Sequence, residues 1–125
     1  MEENFTALVW RANAEDAHGD TFTTDALKGM ADGLIPGSEV FFNFDFRRVV
    51  GHIVQPWIDG DNLYVTVTFT DPEIIEALRD GKASIRPGFS VEGMHLEDGH
   101  SIIDAIGTTH VAVTPNPLPL PGDQN

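Results

Sequence analysis

Hydrophobic and polar residues alternate along much of this chain, and the alternation predicts strands. Phe5 to Arg11 is the first, with Leu8 and Val9 leading to Trp10. Val40, Phe42, Phe44 and Phe46 recur at period two, with Phe41, Asn43, Asp45 and Arg47 between them. That spacing predicts one strand with an almost wholly apolar face, which Phe44 completes. Val49 to Val54 reads as a second strand interrupted by Gly51, and Leu63 to Phe69 alternates cleanly. Between them Asp59-Gly60-Asp61-Asn62 is a strong hairpin signal. Ala83 to Val91 predicts a strand broken or bulged at Arg86-Pro87-Gly88, because proline cannot donate to a ladder. Ser101 to Ile106 and Thr109 to Val113 are the last two.

Two short helices interrupt the strands. Thr23 or Thr24 can accept from the free N–H groups of a helix over Asp25 to Met30, with Asp25 near its positive end. Asp71-Pro72-Glu73 opens the second: Asp71 caps, Pro72 fits the first turn, and Arg79 and Gly81 close it. Asn13 to Asp20 is polar and reads as an ordered loop, and Glu97-Asp98-Gly99 as a hairpin tip. The expected fold is mainly β with two short helices, an antiparallel barrel-like sheet of five to seven strands over residues 1–114. A proline-rich, extended tail covers 115–125. No internal repeat or linker is evident.

Composition narrows the task. The 125 residues hold 20 Asp and Glu against 7 Lys and Arg, a formal charge of -13. That surface disfavours phosphate backbones and anionic lipid, so neither nucleic acid nor membrane is an expected partner. The acidic Met1-Glu2-Glu3 is unlike a signal peptide, and no apolar run is long enough to span a bilayer. The absence of Cys removes disulfides, thiolate zinc and cysteine nucleophiles. Histidine, serine and carboxylate chemistry remain, or binding without chemistry.

Several residues carry candidate chemistry. Ser84 or Ser90 could act as nucleophile with His52 or His110 as base; the plainer reading makes the histidines ordinary strand residues and the serines solvent-facing. Asp16, His18 and Asp20 could ligate a hard cation, yet they equally suit a loop, and no metal or cofactor is expected. His95 and His100 flank a solvated turn. Arg47 and Arg48, the only adjacent basic pair, read either as a docking point for an acidic partner surface or as a solvated strand end. Leu118 and Leu120 in the tail are further candidate partner contacts.

The order of motifs resembles the prohead (capsid-maturation) serine proteases of tailed bacteriophages, related in fold to the herpesvirus assembly proteases. The landmarks are Asp16-Ala17-His18-Gly19-Asp20 before Ala26-Leu27, Asn43-Phe44-Asp45 before Val50-Gly51, and Asp71 through Gly81-Lys82. Ser84-Ile85-Arg86-Pro87-Gly88-Phe89 and Val111-Ala112-Val113-Thr114-Pro115-Asn116-Pro117 follow. The resemblance implies that family's fold. It also implies that the catalytic histidine belongs where Phe44 stands, and phenylalanine accepts no proton. Counting back from Gly88-Phe89 places Arg86 at the nucleophile. Counting forward from Ser84 keeps a serine but needs two inserted residues, so the first alignment is preferred.

The expectation is therefore a non-proteolytic phage structural protein. It would bind the capsid lattice as a head decoration (cement) or assembly protein, in many copies or as a homo-oligomer. Its partner would be the phage major capsid protein or another virion protein, on the head surface or in the host cytoplasm during assembly. The rival is an active serine protease that matures the prohead by cleaving scaffold or capsid protein.

Overall fold

The computed structural model describes residues 2–123. In chain order they form β1 (Glu3–Arg11), β2 (Asp20–Phe22), α1 (Thr24–Asp32), β3 (Glu39–Phe42) and β4 (Asp45–Asp59). Next come β5 (Asn62–Phe69), α2 (Pro72–Arg79), β6 (Ser84–Glu97) and β7 (His100–Thr114). One curled, half-barrel sheet has the order β1-β5-β4-β3-β7-β2, and β6 pairs with β7.

β5 shows how the alternation builds the core. Leu63, Val65, Val67 and Phe69 are buried, while Tyr64, Thr66 and Thr68 between them are half-exposed. Along β4, Gly51 sits where no larger residue fits, because a Cβ would overlap the Thr68 carbonyl and press on the Phe69 ring. Trp10, Phe22 and Phe89 meet edge to face, with centroids 5.4, 5.8 and 5.2 Å apart, and so close β1, β2 and β6 over one apolar centre. Helix α1 buries Ala26, Leu27 and Met30, and at its C-cap a Cβ on Gly33 would run into Thr109 of β7. Thr23 Oγ1 accepts from Ala26 N at 3.1 Å, and Asp71 Oδ1 accepts from Glu73 N at 2.9 Å. Both helices thus begin at the caps that the sequence offers.

The structure corrects several sequence expectations. The predicted strand from Val40 to Phe46 is a tight hairpin instead. β3 stops at Phe42, Asn43 and Phe44 take φ of 52° and 60°, and Phe42 pairs with Asp45. Phe44 therefore leaves the apolar face it was expected to complete. Its exposure is 36%, and that of Phe46 is 62%. β4 then runs unbroken to Asp59. β6 passes through Arg86-Pro87-Gly88 in register with Ala112, Val111 and His110, and first shifts after Phe89. Among the described residues β6 pairs with a strand on one side only, and an edge strand accommodates proline. The two predicted final strands are one, β7.

The 13–20 segment is only partly a loop. It carries a bridge between Glu15 and Thr21 and ends in β2. β2 and β3 both pair with β7 in parallel, at Asp20–Phe22 with Ser101–Ile103 and at Val40–Phe42 with Val111–Val113. The other pairings are antiparallel.

The tail leaves β7 at Pro115 without joining the sheet. Residues 124 and 125 of its expected span, and Met1, lie outside the described residues.

Candidate functional site

Two strands, two connections and the tail converge on one hollow of about 420 Å³. β1 contributes Trp10, and the 16–20 loop contributes Asp16, His18 and Asp20. The β3–β4 hairpin contributes Phe44, β6 contributes Arg86, Pro87 and Phe89, and the tail contributes Leu118 and Pro119. The two positions singled out by the resemblance, Phe44 and Arg86, thus border the same space despite lying on different hairpins.

Phe44 reaches the site through an unfavourable backbone. A positive φ is uncommon for a bulky residue, and the conformation costs on the order of 1–3 kcal/mol. Glycine is the residue a two-residue hairpin turn prefers there. The ring offsets the strain by packing. Its centroid lies 5.6 Å from His110, and Phe46 and Phe41 face the same imidazole at 5.0 and 6.3 Å. His110 pairs with Gly88 across the β6–β7 ladder, and a Cβ on Gly88 would run into His110 Nε2 and the Phe44 ring. Burial among these groups pushes the His110 pKa down, because the imidazolium would lose its water there.

Arg86 spends its guanidinium on the chain itself. Nη1 donates to Ile85 O at 2.7 Å, and Nη2 donates to Leu118 O in the tail. Burial lowers its pKa, while Asp123 opposes that shift. Arg86 Nε and Trp10 Nε1 are buried without a partner among the described residues.

Ser84 opens β6 opposite Thr114 and is buried. Its Oγ meets Thr114 Oγ1 at 2.5 Å, lies 3.1 Å from Asn116 O, and accepts from Leu118 N at 3.2 Å. Ser90 Oγ accepts from Thr108 N at 2.9 Å. Neither serine hydrogen-bonds to His52 or His110. His52 is an exposed residue of β4, opposite Glu39 and Thr68.

The tail is tied down further along. Arg11 Nη1 donates to Pro121 O at 3.1 Å and to Asp123 Oδ1 at 3.0 Å, and Gly122 N donates to Glu15 O at 2.8 Å. The Leu120 N–H and Arg11 hold the Asp123 carboxyl below its ordinary range. Leu118 is partly exposed, whereas Leu120 is half-buried.

The remaining candidates are dispersed. Asp16 Oδ1 accepts from the backbone N–H groups of His18 and Asp20, both at 2.9 Å, which is turn chemistry. Arg47 is exposed and paired with Asp45 at 3.1 Å, and Arg48 stacks 4.1 Å above Phe42. The former pairing lowers the Asp45 pKa. Arg48 and Phe42 border a smaller hollow of about 240 Å³ beside the start of α2. His95, expected on a plain turn, lies 2.5 Å from Asp104 and 3.3 Å from Glu97. Asp104 first, and then Glu97, raise its pKa. The aromatic cage of His110 and this carboxylate pair were both missed, since each joins residues that only the strand register brings together.

No protein-family model and no curated protein matches the sequence. Among solved structures, the fold is similar to the bacteriophage T4 capsid assembly protease, gp21. The TM-score is 0.60 at 11% identity, over 87% of this chain and 80% of that one. The chain therefore has a prohead-protease-like fold. No described helix is long and apolar enough to cross a membrane.

Proposed function

We propose that this chain is a non-proteolytic phage structural protein on a prohead-protease-like fold. It binds the capsid lattice in many copies, as a decoration (cement) or assembly protein, with the major capsid protein or another virion protein as partner. Its place is the head surface, or the host cytoplasm during assembly. In this reading Phe44 and Arg86 stand at the family's histidine and serine positions.

One observation carries the proposal. The side chain that meets His110 from the β3–β4 hairpin is a phenyl ring, while the buried Ser84 hydroxyl is engaged by Thr114 and the chain's own tail. A serine needs a proton acceptor within hydrogen-bond reach, and neither candidate histidine hydrogen-bonds to a serine. The charge of -13 further favours a site away from packaged DNA.

The test is twofold. A fluorophosphonate serine probe should leave the purified protein unlabelled, and the protein should remain in mature particles. Labelling that disappears in Ser84→Ala or Ser90→Ala, with cleavage of the cognate scaffold or capsid protein, would establish the protease instead.

A further inference from the structure

Beyond Phe89, β6 and β7 continue as an arm closed by Asp98 and Gly99, whose φ values are 51° and 79°. In a two-residue hairpin the flanking pair, here Glu97 and His100, exchanges hydrogen bonds. Bonding then alternates. His95 bonds with Ile102, while Met94 opposite Ile103 and Leu96 opposite Ser101 turn their backbone groups away from each other. On β7 those outward groups serve β2, which pairs with Ser101 through Ile103. On β6 the outward N–H and C=O groups of Met94 and Leu96 meet no strand among the described residues.

The side chains at this edge are apolar and open. Leu96 is 68% exposed and Met94 56%. Natural edge strands usually hide or charge such positions, because a free ladder beside apolar side chains recruits another strand. The charge around it has one sign. No Lys or Arg follows Arg86 in the sequence, while Glu97 ends β6 and Asp98 sits in the turn beyond it. His95 is already held between Asp104 and Glu97. A second copy of the chain would set these carboxylates against their own kind, which opposes pairing.

We propose that the outer edge of β6 at Met94–Glu97 is a strand-addition site for an extended segment of a partner protein. That segment alternates apolar residues with lysine or arginine. Its backbone completes the ladder at Met94 and Leu96, its apolar side chains cover those two, and its cations face Glu97 and Asp98. The inference rests on the lattice-binding reading for the origin of the partner. The test uses no particle or protease assay, so the two can fail separately.

The probe is a capped eight-residue peptide of alternating valine and lysine, titrated into the full chain by NMR. At saturation, amide exchange at Met94 and Leu96 should slow at least about tenfold, and shift changes should stay on the arm. Leu96→Ser and Met94→Ser should each weaken binding about tenfold or more. Both side chains are largely in solvent, so an unchanged core spectrum should accompany the loss. Replacing the lysines of the peptide by glutamate should abolish binding. Unslowed exchange at Met94 and Leu96, equal binding of the glutamate peptide, or self-association of the chain through this edge would each overturn the proposal.

Discussion

The two halves of β6 are one strand in two environments. From Ser84 to Phe89 it keeps register with β7, and its side chains are buried or half-buried. Hydroxyl and guanidinium groups there are committed to the tail. Between Phe89 and Met94 the register shifts three times, and from Ser90 to Glu97 every residue but Gly93 is exposed. The difference lies in what faces the strand. The first half has Trp10 and Phe22 packed on it, whereas the second has only its hairpin partner. Burial demands register, since a one-residue slip would turn a buried face outward, and a strand whose own side chains are exposed tolerates bulges. The half that holds the candidate site is therefore closed and fixed, and the half that reaches into solvent is left adaptable.

The contrast can be broken from its strongest side. Phe22→Ala removes the ring between Trp10 and Phe89 and should cost about 3–5 kcal/mol in urea unfolding. A loss below about 1 kcal/mol would mean that the aromatic trio is not what fixes the first half. Ser84→Ala should cost about 1–3 kcal/mol, because Thr114 and Leu118 N lose a buried partner. It should also expose the chain after Thr114 to limited proteolysis, and an unchanged cleavage pattern would show that the tail is held elsewhere.

The smallest effect, and the finest separation, comes from two histidines. NMR titration should place His95 on the arm above the usual 6.5 and His110 below it. Asp104→Asn should bring His95 back down. For His110 the folded pKa is the lower one. As pH falls below 6.5 the unfolded chain gains a proton that the folded chain resists, so stability declines there and is fully present above 6.5. For His95 the folded pKa is the higher one. Its contribution is present below 6.5 and fades as pH rises through the folded value. Coincident titration of the two rings would remove the distinction between caged and exposed histidine.

Much of the fold was legible because it follows from local chemistry. The Asp59 to Asn62 turn, the caps at Thr23 and Asp71, and the alternation of Leu63 to Phe69 each need only neighbouring residues. What failed depends on distance in the chain. β2 is three residues long and is a strand only because β7 lies beside it. Period-two spacing from Val40 to Phe46 could not reveal the turn, since the turn-forming Asn43 is followed by phenylalanine where glycine would have signalled it. For the candidate site, the motif order led to Phe44 and Arg86, which border one hollow. The caging of His110 and the tail's hold on Ser84 need the β6–β7 register and a path for the prolines, neither of which alternation encodes.

The parallel pairings have a consequence for how a copy comes into being. β2 and β6 take their strand partner from β7, the last of the described strands, β3 gains its second one there, and Phe22 waits about eighty residues for Ile103. Such distant closures make folding slow. Until β7 has been synthesised, three strands keep unpaired edges, and a half-made chain is at its most prone to sticking to others. Productive synthesis thus favours chaperone cover or brisk elongation through the last third, and a translational pause before His100 would be the most damaging place to stall.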